Sequence, residues 1–160
     1  MASRTTCSCP DINDQEWHLQ DRDWSGKFFY FEDVQHLFSI PLQMDKVIQN
    51  MKLEIARKGY QAVNPDQILY LPGSFQGRVL MEIQDPEQYD ANVEKFENAR
   101  ILSRVYKGPR NRIKNAVEEL KAFTQDKTHI VPSKIYYWHT TCPKCAQAKG
   151  GDKTVLFARV

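Results

Sequence analysis

The same succession of predicted secondary-structure elements occurs twice in this chain of 160 residues. A strand, a helix and a two-strand hairpin are predicted at 28–84, and the same order is predicted again at 100–160. A duplicated βαββ unit predicts one pseudo-symmetric domain, with a groove where its halves meet. We interpret the polar segment 85–99 as a linker. Residues 1–27 are interpreted as an extension that packs on the domain through its tryptophans.

Two amphipathic helices are the clearest local signals. In each unit, apolar residues recur at three- and four-residue spacing and form one stripe on the predicted helix. Pro41 and Pro109 suit the first turn of a helix, and Gly59 suits a left-handed cap after the first helix. The stripes are Met44, Val47, Ile48, Met51 and Ile55 in the first helix, and Ile113, Ala116, Val117, Leu120 and Phe123 or Thr124 in the second.

Runs of β-forming residues surround each helix. The aromatic run at 28–38 favours a strand that is buried on both faces. A turn at 72–77 and a longer connection with Gly150 and Gly151 predict the two hairpins. The predicted hairpin strands are 68–71 and 78–83 in the first unit, and 135–138 and 154–160 in the second.

Composition excludes several classes of protein. The 22 basic and 20 acidic residues give a net charge of +2, so no electrostatic footprint for nucleic acid or an anionic membrane is present. No apolar run approaches the roughly 18–20 residues of a membrane span. The polar N-terminus lacks the apolar core of a signal peptide, which predicts a cytoplasmic location. We therefore expect neither nucleic acid nor a membrane as a partner. A small molecule is the partner expected of the groove, and the chain is expected to be a monomer or weak dimer.

A known family resembles this pattern. The phrase Arg104-Val105-Tyr106-Lys107-Gly108-Pro109, followed by an amphipathic helix and a terminal hairpin, resembles the GyrI-like small-molecule-binding domains. These domains and the SOUL haem-binding proteins form a superfamily of tandem βαββ repeats. The resemblance covers nearly the whole chain after residue 27. It implies an α+β fold in which two antiparallel sheet halves pair through their first strands, with two main helices on one side and a central cleft.

The resemblance also implies functions. GyrI-like domains bind bulky apolar or aromatic compounds, often cations, and some are effector domains of multidrug-sensing transcription activators. Others hydrolyse strained cyclopropane rings in aromatic toxins. No helix-turn-helix precedes the domain in this sequence, so a complete activator of that type is not expected. We expect binding of a bulky hydrophobic, aromatic or amphipathic molecule for sequestration or sensing, and a cyclopropanoid hydrolase is the alternative.

One carboxylate stands at the place where many family members point an acid into the cleft. This residue is Glu82, in the apolar strand Val79-Leu80-Met81-Glu82-Ile83. It would bind a cationic ligand, or act as the acid–base residue if the protein is an enzyme. Strand alternation leaves open whether Glu82 faces the cleft or solvent. Superposition of the second unit places Ala158 opposite Glu82, so the second carboxylate expected of a hydrolase is missing.

Aromatic side chains are further candidates for contact with a ligand. They combine a large apolar area with one hydrogen-bonding group, which suits polyaromatic or steroid-like compounds. By alternation, Tyr136 and Trp138 share one face of their strand, and Tyr137 and His139 share the other. The aromatic residues predicted to line the cleft are Tyr30, Tyr70, Tyr106, Tyr136 and Trp138.

Four cysteines form two pairs, one near each end of the chain. Cys7-Ser8-Cys9 and Cys142-Pro143-Lys144-Cys145 would supply a Cys₄ zinc site if the N-terminal extension reaches the last hairpin. Such a site would make the protein a zinc-stapled interaction module. Incidental thiol pairs and disulfide exchange are the alternatives, although the position of the C-x-x-C late in the chain does not fit a thioredoxin fold. His139 is a further candidate ligand.

Other cofactors are not expected. None of the four histidines shows the spacing of a metal pair or stands out as an axial ligand for haem. No glycine-rich phosphate loop is present, because Gly150 and Gly151 are not followed by a predicted helix. The chemistry of this chain is therefore expected in the cleft and at the cysteines, and no cofactor is required for cleft binding.

Overall fold

The computed structural model describes residues 9–38, 40–148 and 150–160, and this part of the chain folds as one antiparallel sheet with helices. The strands are β1 (Gln20–Asp23), β2 (Phe28–Leu37), β3 (Ile40–Pro41), β4 (Ile68–Leu71), β5 (Gln76–Ile83), β6 (Val93–Lys95), β7 (Arg100–Lys107), β8 (Lys134–His139) and β9 (Lys153–Arg159). The helices are α1 (Asp14–Trp17), α2 (Met44–Arg57), α3 (Lys114–Thr128) and α4 (Pro143–Ala148).

The α+β fold with a duplicated βαββ order is confirmed. The first unit comprises β2, α2, β4 and β5, and the second comprises β7, α3, β8 and β9. Strand order across the sheet is β1-β7-β9-β8-β4-β5-β2-β3, with β6 beside β2. The two halves meet where β4 pairs with β8, at Tyr70 opposite Tyr137. The expectation that the halves pair through their first strands is therefore wrong, since β2 and β7 lie towards the outer edges.

Both helices pack on the same face of the sheet, which we call the helix face. Directly opposed residues of paired strands share a face, so the pairs Tyr70–Val79, Tyr70–Tyr137 and Tyr137–Leu156 trace one face across four strands. Val79 belongs to the cluster that α2 covers, and Leu156 to the cluster that α3 covers. The predicted stripes make these contacts, and their fully buried members include Met51 and Leu120.

The opposite face of the sheet is covered by the N-terminal segment. Trp24 is buried against Phe29, Phe96 and Phe157, with ring centroids 5.0–6.4 Å apart. Trp17 is half-buried and meets the edge of Phe157 at 5.5 Å. These aromatic contacts close the opposite face with large apolar side chains, which are among the strongest contributors to burial energy.

Two local expectations differ from the structure. Pro41 lies in the two-residue strand β3 rather than in the first turn of α2, which begins at Met44 after Gln43 in a left-handed conformation with φ 54°. The predicted linker contains strand β6, which pairs with β2. In the part of the chain that the structure describes, no helix is both long and apolar enough to cross a membrane.

Candidate functional site

We call the strip of the helix face between the part that α2 covers and the part that α3 covers, where the two halves of the sheet meet, the groove. Its floor contains Tyr70 on β4 and Tyr137 on β8, which are directly opposed and partly exposed. Their rings meet edge to face with centroids 6.2 Å apart. Tyr70 packs on the cluster under α2 and Tyr137 on the cluster under α3. The pair therefore bridges the two units at the pseudo-symmetric centre of the molecule.

A histidine and a glycine fix the position of Tyr70. The Tyr70 hydroxyl lies 2.7 Å from Nε2 of His36, and Nδ1 of the same ring lies 2.9 Å from the carbonyl oxygen of Gly73. A carbonyl only accepts, so Nδ1–H donates to Gly73 and Nε2 accepts from the tyrosine. Gly77 makes this contact feasible, because a Cβ there would lie 2.7 Å from His36 Nε2 and 2.9 Å from the Tyr70 ring. Burial raises the pKa of Tyr70, so its hydroxyl stays protonated at neutral pH.

A second histidine lies at the other end of the aromatic pair. His139 meets the Tyr137 ring edge to face at 6.0 Å, and its Nδ1 lies 3.0 Å from Oγ1 of Thr154. Burial, followed by the positive charge of Arg110, lowers the pKa of His139 to about 4. The ring is therefore neutral at physiological pH. His36, Tyr70, Tyr137 and His139 form a continuous aromatic row along the helix face.

A cavity of about 150 Å³ opens from this row under the first turns of α2. Its walls combine apolar side chains from the helix and the sheet with one carboxylate. Met44 is a flexible side chain at this wall, and such thioether chains adapt to irregular ligands. The lining residues are Met44, Ile48, Asp66, Ile68, Tyr70, Val79 and His139.

Glu82 lies on the opposite face of the sheet from α2 and α3, away from Tyr70 and Tyr137, and its contact with a ligand stays a prediction. It is paired with Phe29 of the opposite-face cluster, and its Oε1 lies 2.8 Å from Nζ of Lys27. The strand pairing shifts the predicted superposition of Glu82 on Ala158 by one residue. Since Val79 corresponds to Leu156, Glu82 corresponds to Arg159. A slip of one residue in a strand exchanges the two faces of the sheet.

The other predicted aromatic residues lie outside the groove. Tyr30 is fully buried beneath α2, where its hydroxyl accepts from Nζ of Lys58 at 2.9 Å. Tyr136 and Trp138 are buried in the opposite-face cluster. Tyr106 is on the helix face of β7, and its hydroxyl donates to the carbonyl oxygen of Pro109 at 2.8 Å. Of the five aromatic candidates, Tyr70 is the one that lines the described cavity.

Sequence reasoning missed Tyr137, His139 and His36 as groove residues. Alternation correctly separated Tyr137 and His139 from Tyr136 and Trp138. It gave no sign of which pair faces the helices, because both faces of β8 carry large aromatic side chains. The Tyr70–Tyr137 pairing supplies that information, and it depends on contacts between distant parts of the chain.

Three of the four cysteines come together at the end of β8. The Sγ atoms of Cys9, Cys142 and Cys145 all lie within 4.8 Å of one another. Cys145 is buried and disulfide-bonded. Cys7, the fourth residue of the predicted zinc site, lies outside the described residues. The N-terminal extension thus reaches the last hairpin, as the zinc hypothesis requires.

A family model described as "Bacterial hydrolase" matches residues 1–160. The chain therefore belongs to this family. No curated protein matches the sequence.

Solved structures share the fold. The C-terminal domain of EcmrR superposes with a TM-score of 0.64 at 13% identity, covering 89% of this chain and 96% of that domain. A hydrolase encoded by lin2189 from Listeria innocua superposes with a TM-score of 0.54 at 11% identity, covering 89% of this chain and 92% of the other. The fold is GyrI-like. At identities this low, the similarity extends to the fold alone.

Proposed function

We propose that this protein binds a bulky aromatic or amphipathic small molecule in the groove between α2 and α3, in order to sequester or sense it. The observation that carries the proposal is the partly exposed pair Tyr70 and Tyr137, set between two helices at the centre of the sheet. Sites for small molecules typically combine apolar and aromatic walls with a few fixed polar groups. Here the walls include Met44 and Ile48, and the polar groups are the tyrosine hydroxyls.

The groove carries little charge, so a neutral ligand can be accommodated. Burial raises the pKa of both Tyr70 and Tyr137, and lowers that of His139 to about 4, so these three groups are uncharged at pH 7. Asp66 is the one carboxylate among the residues that line the described cavity. Since Glu82 lies on the opposite face, its expected attraction for cations is absent from the groove. Aromatic contact area therefore contributes more to binding than ion pairing.

The size of the cavity indicates how a large ligand would bind. Its volume of about 150 Å³ is below the roughly 300–1,000 Å³ of typical ligand pockets. One aromatic ring of the ligand would enter the cavity, and the rest would lie along the open groove over Tyr137. A rotamer change of Met44, which is partly buried at the rim, would enlarge the space.

Dye binding to a matched pair of variants tests this proposal. Tyr137→Ala should weaken the binding of a neutral polyaromatic dye by at least tenfold, because it removes half of the groove floor. Tyr89→Ala is the control, since Tyr89 is a 48% exposed tyrosine that packs on Phe28 away from the groove. Equal affinity of all three proteins for every dye that binds the native protein would contradict the proposal, and so would the absence of binding by any dye.

Hydrolysis is the second candidate function, and two observations favour it. The family to which the chain belongs is described as a bacterial hydrolase. A neutral imidazole, His139, also lines the groove cavity and could act as a general base towards water. Glu82 is not placed for that role, so the hydrolysis proposed here depends on the imidazole.

Turnover assays separate this candidate from simple binding. A panel of aromatic esters and strained-ring compounds should include a substrate whose hydrolysis is lost in His139→Gln and retained in Glu82→Gln. Because the imidazole is neutral above about pH 4, activity should persist to that pH. Undiminished turnover in His139→Gln would exclude the proposed base.

A further inference from the structure

We propose that Cys9, Cys142 and Cys145 bind a zinc ion that joins the N-terminal extension to the connection between β8 and β9. The inference is independent of ligand binding in the groove. Cys9 and Cys142 are 133 positions apart in the chain, yet the three Sγ atoms lie within 4.8 Å of one another. Convergence of three soft ligands from two distant segments is the arrangement that structural zinc sites use.

The distances fit a tetrahedral thiolate site after a small adjustment. With zinc–sulfur bonds of about 2.3 Å, sulfur atoms at the corners of a tetrahedron lie about 3.8 Å apart. Each separation in the cluster is no more than 4.8 Å. Movement of about 1 Å would therefore bring the sulfur atoms to ligand positions, which is within the reach of side-chain rotation.

Backbone hydrogen bonds to sulfur support the thiolate form. The N–H of Cys142 donates to Sγ of Cys9 at 3.3 Å, and the N–H of Cys145 donates to Sγ of Cys142 at 3.4 Å. Hydrogen bonds to a charged group favour its charged form, and the thiolate is the form that binds metal. The spacing Cys142-Pro143-Lys144-Cys145 is also the C-x-x-C of structural zinc sites.

The zinc-bound state belongs to the reduced protein. Cys145 is disulfide-bonded in the structure, so a reductant such as a thiol or a phosphine must first convert that bond to two thiols by transfer of two electrons and two protons. Zinc then displaces the thiol protons as it binds.

The position of the site indicates what the metal would stabilise. The hairpin connection is held near its start, where Oγ1 of Thr140 donates to the carbonyl oxygen of Lys153 at 2.8 Å and Oγ1 of Thr141 lies 3.1 Å from Asp152 Oδ1. Zinc would add a link from this connection to Cys9, at the start of the segment that covers the opposite face. Metal binding would therefore protect the N-terminal segment from local opening.

Metal binding by the whole chain tests the inference. Protein reduced with a phosphine and freed of metal by chelation should bind one equivalent of zinc, measured against a chromophoric chelator. Cobalt in place of zinc should give the visible bands of a tetrahedral site and a thiolate-to-metal charge-transfer band in the near ultraviolet. Amide exchange of the N-terminal segment should slow when zinc is added.

Variants identify the ligands. Cys142→Ser and Cys9→Ser should each weaken zinc binding by more than the roughly tenfold to hundredfold typical of losing an outer hydrogen-bond partner. Ala146→Ser is the control, because Ala146 is in the same connection and its N–H bonds to the Cys142 carbonyl oxygen. The inference fails if reduced protein binds less than half an equivalent of zinc, or if the cobalt spectrum lacks thiolate charge transfer. It also fails if the cysteine variants bind zinc as the native protein does.

Discussion

The two faces of the sheet carry similar amounts of aromatic side chain and differ in how these are covered. On the opposite face, the N-terminal segment brings Trp24 against Phe29, Phe96 and Phe157, and the cluster is closed. On the helix face, two separate helices each cover one half of the sheet and leave Tyr70 and Tyr137 partly exposed between them. The comparison shows that a duplicated unit creates a groove at its junction, and that the added extension covers the other face.

The largest expected effect is on the closed face. Trp24→Ala should lower the free energy of unfolding by about 3–5 kcal/mol, since Trp24 is 6% exposed and its removal leaves a cavity among aromatic rings. Urea denaturation measures the change. Phe75→Ala, at a side chain that is 87% exposed, should stay within about 0.5 kcal/mol of the native protein. A Trp24→Ala protein as stable as the Phe75→Ala protein would show that the closed face is not a core.

The second expected effect is a pH dependence that comes from the groove. The pKa of His139 is about 4 in the folded protein, and its ordinary value is 6.5. Between these two pH values the unfolded chain therefore binds a proton that the folded chain does not. Stability should therefore fall as pH decreases from about 6.5 to about 4, by on the order of 2–3 kcal/mol in total. His139→Gln should remove this part of the slope.

Other groups also titrate in this pH range, so the contribution of His139 is measured as the difference between two variants. His129→Gln is the matched control, because His129 is exposed at the end of α3. Urea midpoints at several pH values should show a flatter profile for His139→Gln than for His129→Gln. Parallel profiles would mean that the imidazole of His139 is not buried as described.

The smallest expected effect concerns Glu82. Glu82→Gln removes the ion pair with Lys27, whose side chain is partly exposed, and should cost no more than about 1 kcal/mol. Affinity for groove ligands should be unchanged, because the two sites are on different faces. Asp33→Asn, which breaks the exposed pair with Arg78, is the control for stability. A tenfold loss of affinity in Glu82→Gln alone would place the ligand on the opposite face.

Local patterns predicted the elements well. The apolar stripes of Met44–Ile55 and Ile113–Thr124 identified the faces by which α2 and α3 pack, and the repeat of element order predicted the duplicated fold. These features depend on neighbouring residues in the chain, where helical spacing alone sets which side chains share a face.

The site depended on features that no local pattern contains. The choice between Tyr136 and Tyr137 as the groove residue, and the side of the sheet to which Glu82 belongs, are fixed by strand register across distant segments. Period-two alternation divides a strand into two sets but does not assign either set to a face. His36 contacts Tyr70 because Gly77, on the strand between them, has no side chain. The contact arises only when the three strands pair.

The most direct test of the groove is a map of amide NMR shifts during titration with a neutral polyaromatic ligand. Binding between the helices predicts saturable shifts at Tyr70, Tyr137 and His139, with the first turn of α2 shifting in step. Lys27 and Glu82 should remain unperturbed. Saturable shifts centred on Lys27 and Glu82 instead would contradict the account, as would the absence of shifts with every ligand at millimolar concentration.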